Sequence, residues 1–200
     1  MDDLMNEVHD QAAERPTSEQ IERELRRREL AVEARKVVYK ALRSLIVFAA
    51  VAVLVVTLLF PTIQVRRGSM TPTLRDGEQI ILITLSNISR GDVVAFHLGN
   101  QTMVKRIIAT AGEWVDIDDS GAVYINGEQL AEPYLTEKSP GIYDLEFPLQ
   151  VPDNQFFVMG DSRAVSLDSR LAEFGMVHRE DIIGEAILRI WPISRFGIVK

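Results

Sequence analysis

One run of residues limits every architecture open to this chain. From Ser44 to Val65 no residue carries a charge, and Leu45–Phe60, LIVFAAVAVLVVTLLF, is apolar except for Thr57. About 20 such residues span the ~30 Å hydrocarbon core of a bilayer as a helix. A buried core helix would show a polar face recurring at helical period, and none recurs here. A cleavable leader would place a shorter apolar region near the N-terminus and follow it with small residues. Here Met1–Arg43 precede the run and Pro61-Thr62-Ile63-Gln64-Val65 follow it. The run reads as an uncleaved transmembrane anchor over 44–65.

The flanks set an orientation. Residues 25–43 carry Arg26, Arg27, Arg28, Arg35, Lys36, Lys40 and Arg43, against Glu29 and Glu33. After it come Arg66, Arg67 and then Arg75. Cationic flanks stay in the cytoplasm. Residues 1–43 are therefore expected to form a cytoplasmic charged tail, and residues 66–200 an extracytoplasmic domain in a single-pass protein of the cell membrane. Within the tail, Glu22 with Arg26 and Glu24 with Arg28 are spaced for i,i+4 pairing on an exposed, charged N-terminal helix. Residues 1–20 are acidic and read as disordered.

Composition excludes several classes. The net charge of -7 opposes nucleic-acid binding, which needs a basic footprint. With no cysteine there is neither a disulfide nor a thiolate metal site, and no cofactor is expected.

Beyond the anchor the apolar period changes from helical to two. Glu78–Leu85, Gly91–Leu98 and Thr102–Thr110 each read as a strand. EWVDIDDSGAVYINGEQL reads as a hairpin with a second turn at Asn126-Gly127, and NQFFVMGD and IIGEAILRIW supply two more strands. Residues 131–150, with Pro133, Pro140, Gly141 and Pro148, form a long surface excursion. The fold class is mostly β: an antiparallel sheet domain preceded by one transmembrane helix and a charged N-terminal helix.

The hydrolytic chemistry available to such a domain is limited. His9 lies on the wrong side of the anchor for a Ser-His-Asp triad, and neither His97 nor His178 has a triad setting. Lys105 is different. In MVKRII, alternation places Met103, Lys105 and Ile107 on one face and Val104, Arg106 and Ile108 on the other. A lysine desolvated among apolar neighbours loses its charge readily. A neutral amine can then activate a serine hydroxyl, which arginine cannot do. The competing reading is an edge-strand lysine whose stem carries its charge out to water. Ahead of it, RRGSMTPTL presents Ser69 just past the anchor, with Gly68 allowing a sharp turn, Pro72 holding Thr71 extended, and Met70 helping to line a site.

GSMTPTL after an anchor, then RGDVVAF, VKRIIATAGE, GDSRAVSLDSR and FGMVHREDIIGEAILRIWP, taken in order over residues 61–197, resemble the type I signal peptidase family. The resemblance implies a membrane-bound serine endopeptidase that removes N-terminal signal peptides from exported preproteins. Ser69 matches the family's nucleophile and Lys105 its general base. Ser166 matches a serine that hydrogen-bonds the lysine. Asp161, Arg163, Asp168 and Arg170 match residues that brace the site, with Arg106 as an ion partner. The family's oxyanion hole uses the serine's own backbone N–H, and many members add a hydroxyl two residues earlier, where this chain has Arg67. Ser162 replaces the usual asparagine and Glu185 a common lysine. The partners implied are preproteins and the lipid bilayer, with no nucleic acid; the oligomeric state is left open. The alternatives are a catalytically silent anchored homologue that binds or scaffolds, and a Ser-Lys peptidase of the self-cleaving repressor kind, against which the anchor and the acidic charge speak.

Overall fold

The computed structural model describes residues 17–84 and 86–199. The acidic segment 1–16, and His9 with it, lies outside the described residues.

Helix α1, Ser18–Leu59, begins just after Thr17. Thr17 O accepts the N–H groups of Gln20 and Ile21, and the Thr17 N–H donates back to the Gln20 side chain at 2.9 Å. No glycine or proline interrupts the next 42 residues, and most are good helix formers. The charged tail and the apolar run are therefore one continuous helix. Among the described residues, no separate charged helix precedes the apolar run. The surface pairs are Glu19–Arg23 at 3.4 Å and Glu24–Arg27 at 3.8 Å, not the two expected. On a solvated helix such pairings differ by only tenths of a kcal/mol (about 0.2–0.5 each). α1 is long and apolar enough to cross a membrane, and none of its residues is buried.

The helix stops at Leu59, ahead of Pro61, so the last part of the expected 44–65 segment is not helical. Thr62–Gln64 instead form strand β1, antiparallel to β2, Gln79–Ile83. The further strands are β3 (Val93–Leu98), β4 (Gln101–Thr110), β5 (Trp114–Ile117), β6 (Val123–Ile125), β7 (Glu128–Gln129), β8 (Leu149–Gln150), β9 (Gln155–Met159), β10 (Val177–His178), β11 (Ile182–Trp191) and β12 (Gly197–Ile198). The larger sheet runs β1-β2-β11-β3-β4-β9-β10, with β12 beside β11, and the smaller runs β7-β6-β5-β8. All pairings are antiparallel.

Turn chemistry sets the registers. Asn126 and Gly127, at φ 53° and 85°, make the two-residue turn from β6 to β7. Asp118 Oδ1 accepts the N–H groups of Ser120 and Ala122 and closes the turn between β5 and β6. The excursion 131–150 contains one strand, β8, at its end.

β4 departs from simple alternation. Lys105 to Ala109 are all buried, because both of its faces are covered. Met70, Leu74, Ile80, Leu82, Val93 and Ala186 share one apolar cluster, which holds the segment after β1 against the sheet.

Gly184 sits in β11 between β2 and β3, where the register shifts. A Cβ there would lie 2.6 Å from the Ile83 carbonyl oxygen. Gly184→Ala is expected to lower stability by about 1–3 kcal/mol, the usual cost of overpacking. Gly197→Ala, where a Cβ meets nothing within 4 Å, is expected to leave it unchanged. Thermal melts of the two variants in detergent check this.

Candidate active site

The segment carrying Ser69 is a tight turn. The Thr71 N–H donates to Gly68 O at 3.1 Å and the Leu74 N–H to Met70 O at 2.9 Å. Met70 and Leu74 lie four apart and both point into the core, at 1% and 0% exposure. That pair anchors the turn and leaves Ser69 half-buried on a cleft of about 740 Å³. Two sequence expectations change here. Thr71 belongs to the turn rather than to an extended segment, and its bond to Pro72 is cis. Gly68 takes no left-handed backbone angle, and a Cβ there would meet only Thr71 Oγ1, at an ordinary 3.5 Å. Met70 does line the cleft, while serving mainly as a core residue.

The same cleft is lined by Lys105, Met103, Val104, Val165 and Leu167. Lys105 does not reach water: it is 3% exposed, and its Nζ lies 2.6 Å from Ser166 Oγ, itself buried. Burial lowers the amine from 10.5 to about 8. The Asp168 carboxylate opposes that shift, the Arg170 guanidinium adds to it, and Asp161 opposes it again.

Gly160 brings the two halves together. A Cβ on it would lie 2.5 Å from Ser69 O and would overlap the Ser166 hydroxyl. The Ser69 main chain and the lysine's hydrogen-bond partner therefore converge on one point that only glycine leaves free. The Ser162 N–H fixes this approach by donating to Ser69 O at 3.0 Å.

Three buried arginine–acid pairs surround the site. Arg106 binds Asp161 through two hydrogen bonds, at 2.9 and 2.7 Å, and Thr73 Oγ1 donates to the same carboxylate at 2.5 Å. Arg170 grips Asp168 at 2.8 and 2.9 Å, while Asp168 Oδ2 also accepts the Gly160 N–H at 3.0 Å. Arg163 pairs with Glu132 at 2.5 and 3.2 Å and donates to Gly160 O at 3.1 Å. Removing one partner of such a pair costs about 3–5 kcal/mol, because a buried charge is left alone.

Sequence reasoning named Arg106, Asp161, Arg163, Ser166, Asp168 and Arg170, and all fall in this network. It missed Glu132, Thr73 and Tyr134. The Tyr134 ring lies 3.8 Å from the Arg106 guanidinium carbon. Burial pushes its phenol up, so the hydroxyl stays protonated near Glu132 Oε1, 3.0 Å away. No local pattern pointed to Glu132, whose partner Arg163 lies 31 residues away in the chain. His97 and His178 are exposed at strand ends. Glu185 is half-buried in β11.

A family model described as signal peptidase, peptidase S26, matches residues 38–191. A signal peptidase I of Bacillus amyloliquefaciens is 34% identical over 169 residues, covering 79% of this chain and 90% of that protein. Signal peptidase I T of Bacillus subtilis is 33% identical over 171 residues, covering 79% and 88%. The probable signal peptidase I-2 of Synechocystis is 35% identical over 144 residues, and the match spans 66% of this chain and 63% of that protein's length. The solved signal peptidase I of Enterococcus faecalis V583 aligns at 33% identity and a TM-score of 0.42, over 50% of this chain and 97% of that one. Matched by the family model over more than half of its length, the chain belongs to the signal peptidase family, peptidase S26.

Proposed function

We propose that this chain is a membrane-bound serine endopeptidase that removes N-terminal signal peptides from exported preproteins, with Ser69 as nucleophile and Lys105 as general base. The observation that carries the reading is the buried Lys105 amine, held against Ser166 and lining one cleft with Ser69. A silent binding or scaffolding role has no support among the relatives, which are named as peptidases.

The chemistry needs no cofactor. Neutral Lys105 Nζ takes the proton of Ser69 Oγ as that oxygen attacks the scissile carbonyl carbon. The tetrahedral oxyanion is met by backbone N–H, a kind of donor worth about 3–4 kcal/mol. The C–N bond then breaks, and the Lys105 ammonium returns its proton to the leaving amine, which is the new N-terminus of the mature protein. Water, losing a proton to Lys105, attacks the remaining ester and frees the signal peptide as a carboxylic acid.

The cleft suits an extended peptide. β9 pairs with β4 from Arg106 to Thr110, which leaves Gln101–Lys105 with a described strand on the β3 side only. A substrate strand can add along that edge. Ile63, Met103, Val104, Val165 and Leu167 offer apolar walls for small residues before the cut.

The apolar half of α1 is the anchor, beginning at Ser44 and carrying the chain across. Residues 1–43 stay in the cytoplasm under the pull of their arginines and lysines, and the β-rich unit lies outside. Enzyme and signal peptide then share a thin layer at the bilayer, which raises their effective concentration.

Ser69→Ala is expected to abolish cleavage of a labelled preprotein by the purified chain; undiminished cleavage would remove the mechanism. The rate should follow the neutral amine. With a pKa of about 8, log kcat/KM rises by about one per pH unit below 8 and levels off above it. A profile flat down to pH 5 would exclude Lys105 as base. Ser166→Ala is expected to lower kcat about 10–100-fold through a misplaced amine, with KM little changed. In spheroplasts, added protease is expected to degrade the β-rich unit and spare an epitope placed before Ser44.

A further inference from the structure

Within the peptidase reading, the residue two places before the nucleophile has an unusual backbone. Arg67 lies at φ 69°, in the left-handed region that residues with a Cβ avoid. Gly68 beside it, which could take that conformation freely, does not. A specific contact holds Arg67 there. Its N–H donates to Asp76 Oδ1 at 2.7 Å, a charge-assisted bond of the stronger kind.

Both ends of this clasp are tied to the sheet. The Val65 N–H donates to Glu78 O at 2.8 Å, and the Gly77 N–H to Val65 O at 2.9 Å. The segment leaving β1 and the segment entering β2 are thus locked side by side, and the clasp is the last link before the turn that presents Ser69. Beyond it, the fixed points are the buried Met70 and the Ser69 carbonyl under the Ser162 N–H. Arg67 is the link in the chain between these tied segments and Gly68-Ser69. The Arg67 N–H, taken by Asp76, is not a donor for an oxyanion. Asp76 itself is exposed and does not line the cleft, so it plays no part in the chemistry directly.

We propose that Asp76 is a positioning residue: its carboxylate holds Arg67 in the left-handed conformation that aims Ser69 into the cleft. The inference rests on the peptidase reading and names the contact that sets its nucleophile.

The test uses the full chain in detergent micelles with a labelled preprotein, and compares the parent, D76A, D76N, R67G and R67G/D76A. D76A is expected to lower kcat about tenfold, or about 1.4 kcal/mol, with KM within about twofold of the parent. D76N keeps an acceptor oxygen and is expected to stay within about threefold of the parent. Glycine takes the left-handed conformation unaided, so adding D76A to R67G is expected to cost less than about twofold. Hydrogen exchange at the Arg67 amide is expected to quicken in D76A and not in D76N. The inference is overturned if D76A matches the parent, if D76N is as impaired as D76A, or if D76A costs the same tenfold in the R67G background. If the parent itself fails to cleave, the peptidase reading falls, and exchange alone decides: an Arg67 amide unchanged in D76A overturns the clasp.

Discussion

The site depends on one amine kept out of water. Lys105 lies in β4 on its pairing with β3, at the start of five successive buried residues and just before β9 joins the other side at Arg106. An ammonium in that place loses its hydration, and the amine's proton affinity falls to about 8. The same burial weakens the fold. Between about pH 8 and 10.5 the unfolded chain holds a proton on Lys105 that the folded chain does not. Stability from this group is therefore lowest below pH 8 and is recovered as pH rises through that window. The protein keeps a costly lysine where an apolar residue would pack better, as expected of a group retained for chemistry.

The arginines around it have a different task. Arg106, Arg163 and Arg170 are each matched to a carboxylate and to main-chain or hydroxyl oxygens. Buried pairs of this kind add little net stability. What they fix is position. Through Arg163 and Asp168 both backbone groups of Gly160 are engaged, and Gly160 is the point at which Ser69 and Ser166 converge. Arg106 and Asp161 tie β4 to Thr73 in the turn that carries Ser69. Ser69 and Lys105 thus sit on separate elements that share one polar frame.

Much of this was legible in the chain. Runs bounded by Gly, Asn and Asp located every long strand, because local turn chemistry marks their ends, although β3, β4 and β9 bury residues on both faces. The resemblance pointed to Ser69, Lys105, Ser166 and the arginine–acid residues that the structure gathers. The failures share a physical cause. Local rules placed Thr71 in an extended segment, but burial of Met70 and Leu74 one helical turn apart overrode them. Gly68 looked like the flexible joint, yet the strained backbone is at Arg67, where a side chain nine residues away supplies the compensation. Glu132 was hidden in a proline-rich excursion, and its pairing with Arg163 spans 31 residues, which no local pattern reports. The break between tail and anchor was inferred from composition, although charge changes along α1 without interrupting its hydrogen bonding.

The account is tested most directly by titrating the Lys105 amine itself. In the full chain labelled with 15N at lysine side chains, the Lys105 signal is identified by its loss in Lys105→Met and followed with pH in micelles. The account requires it to titrate near 8. A Lys105 amine titrating at its ordinary value of 10.5 would contradict it.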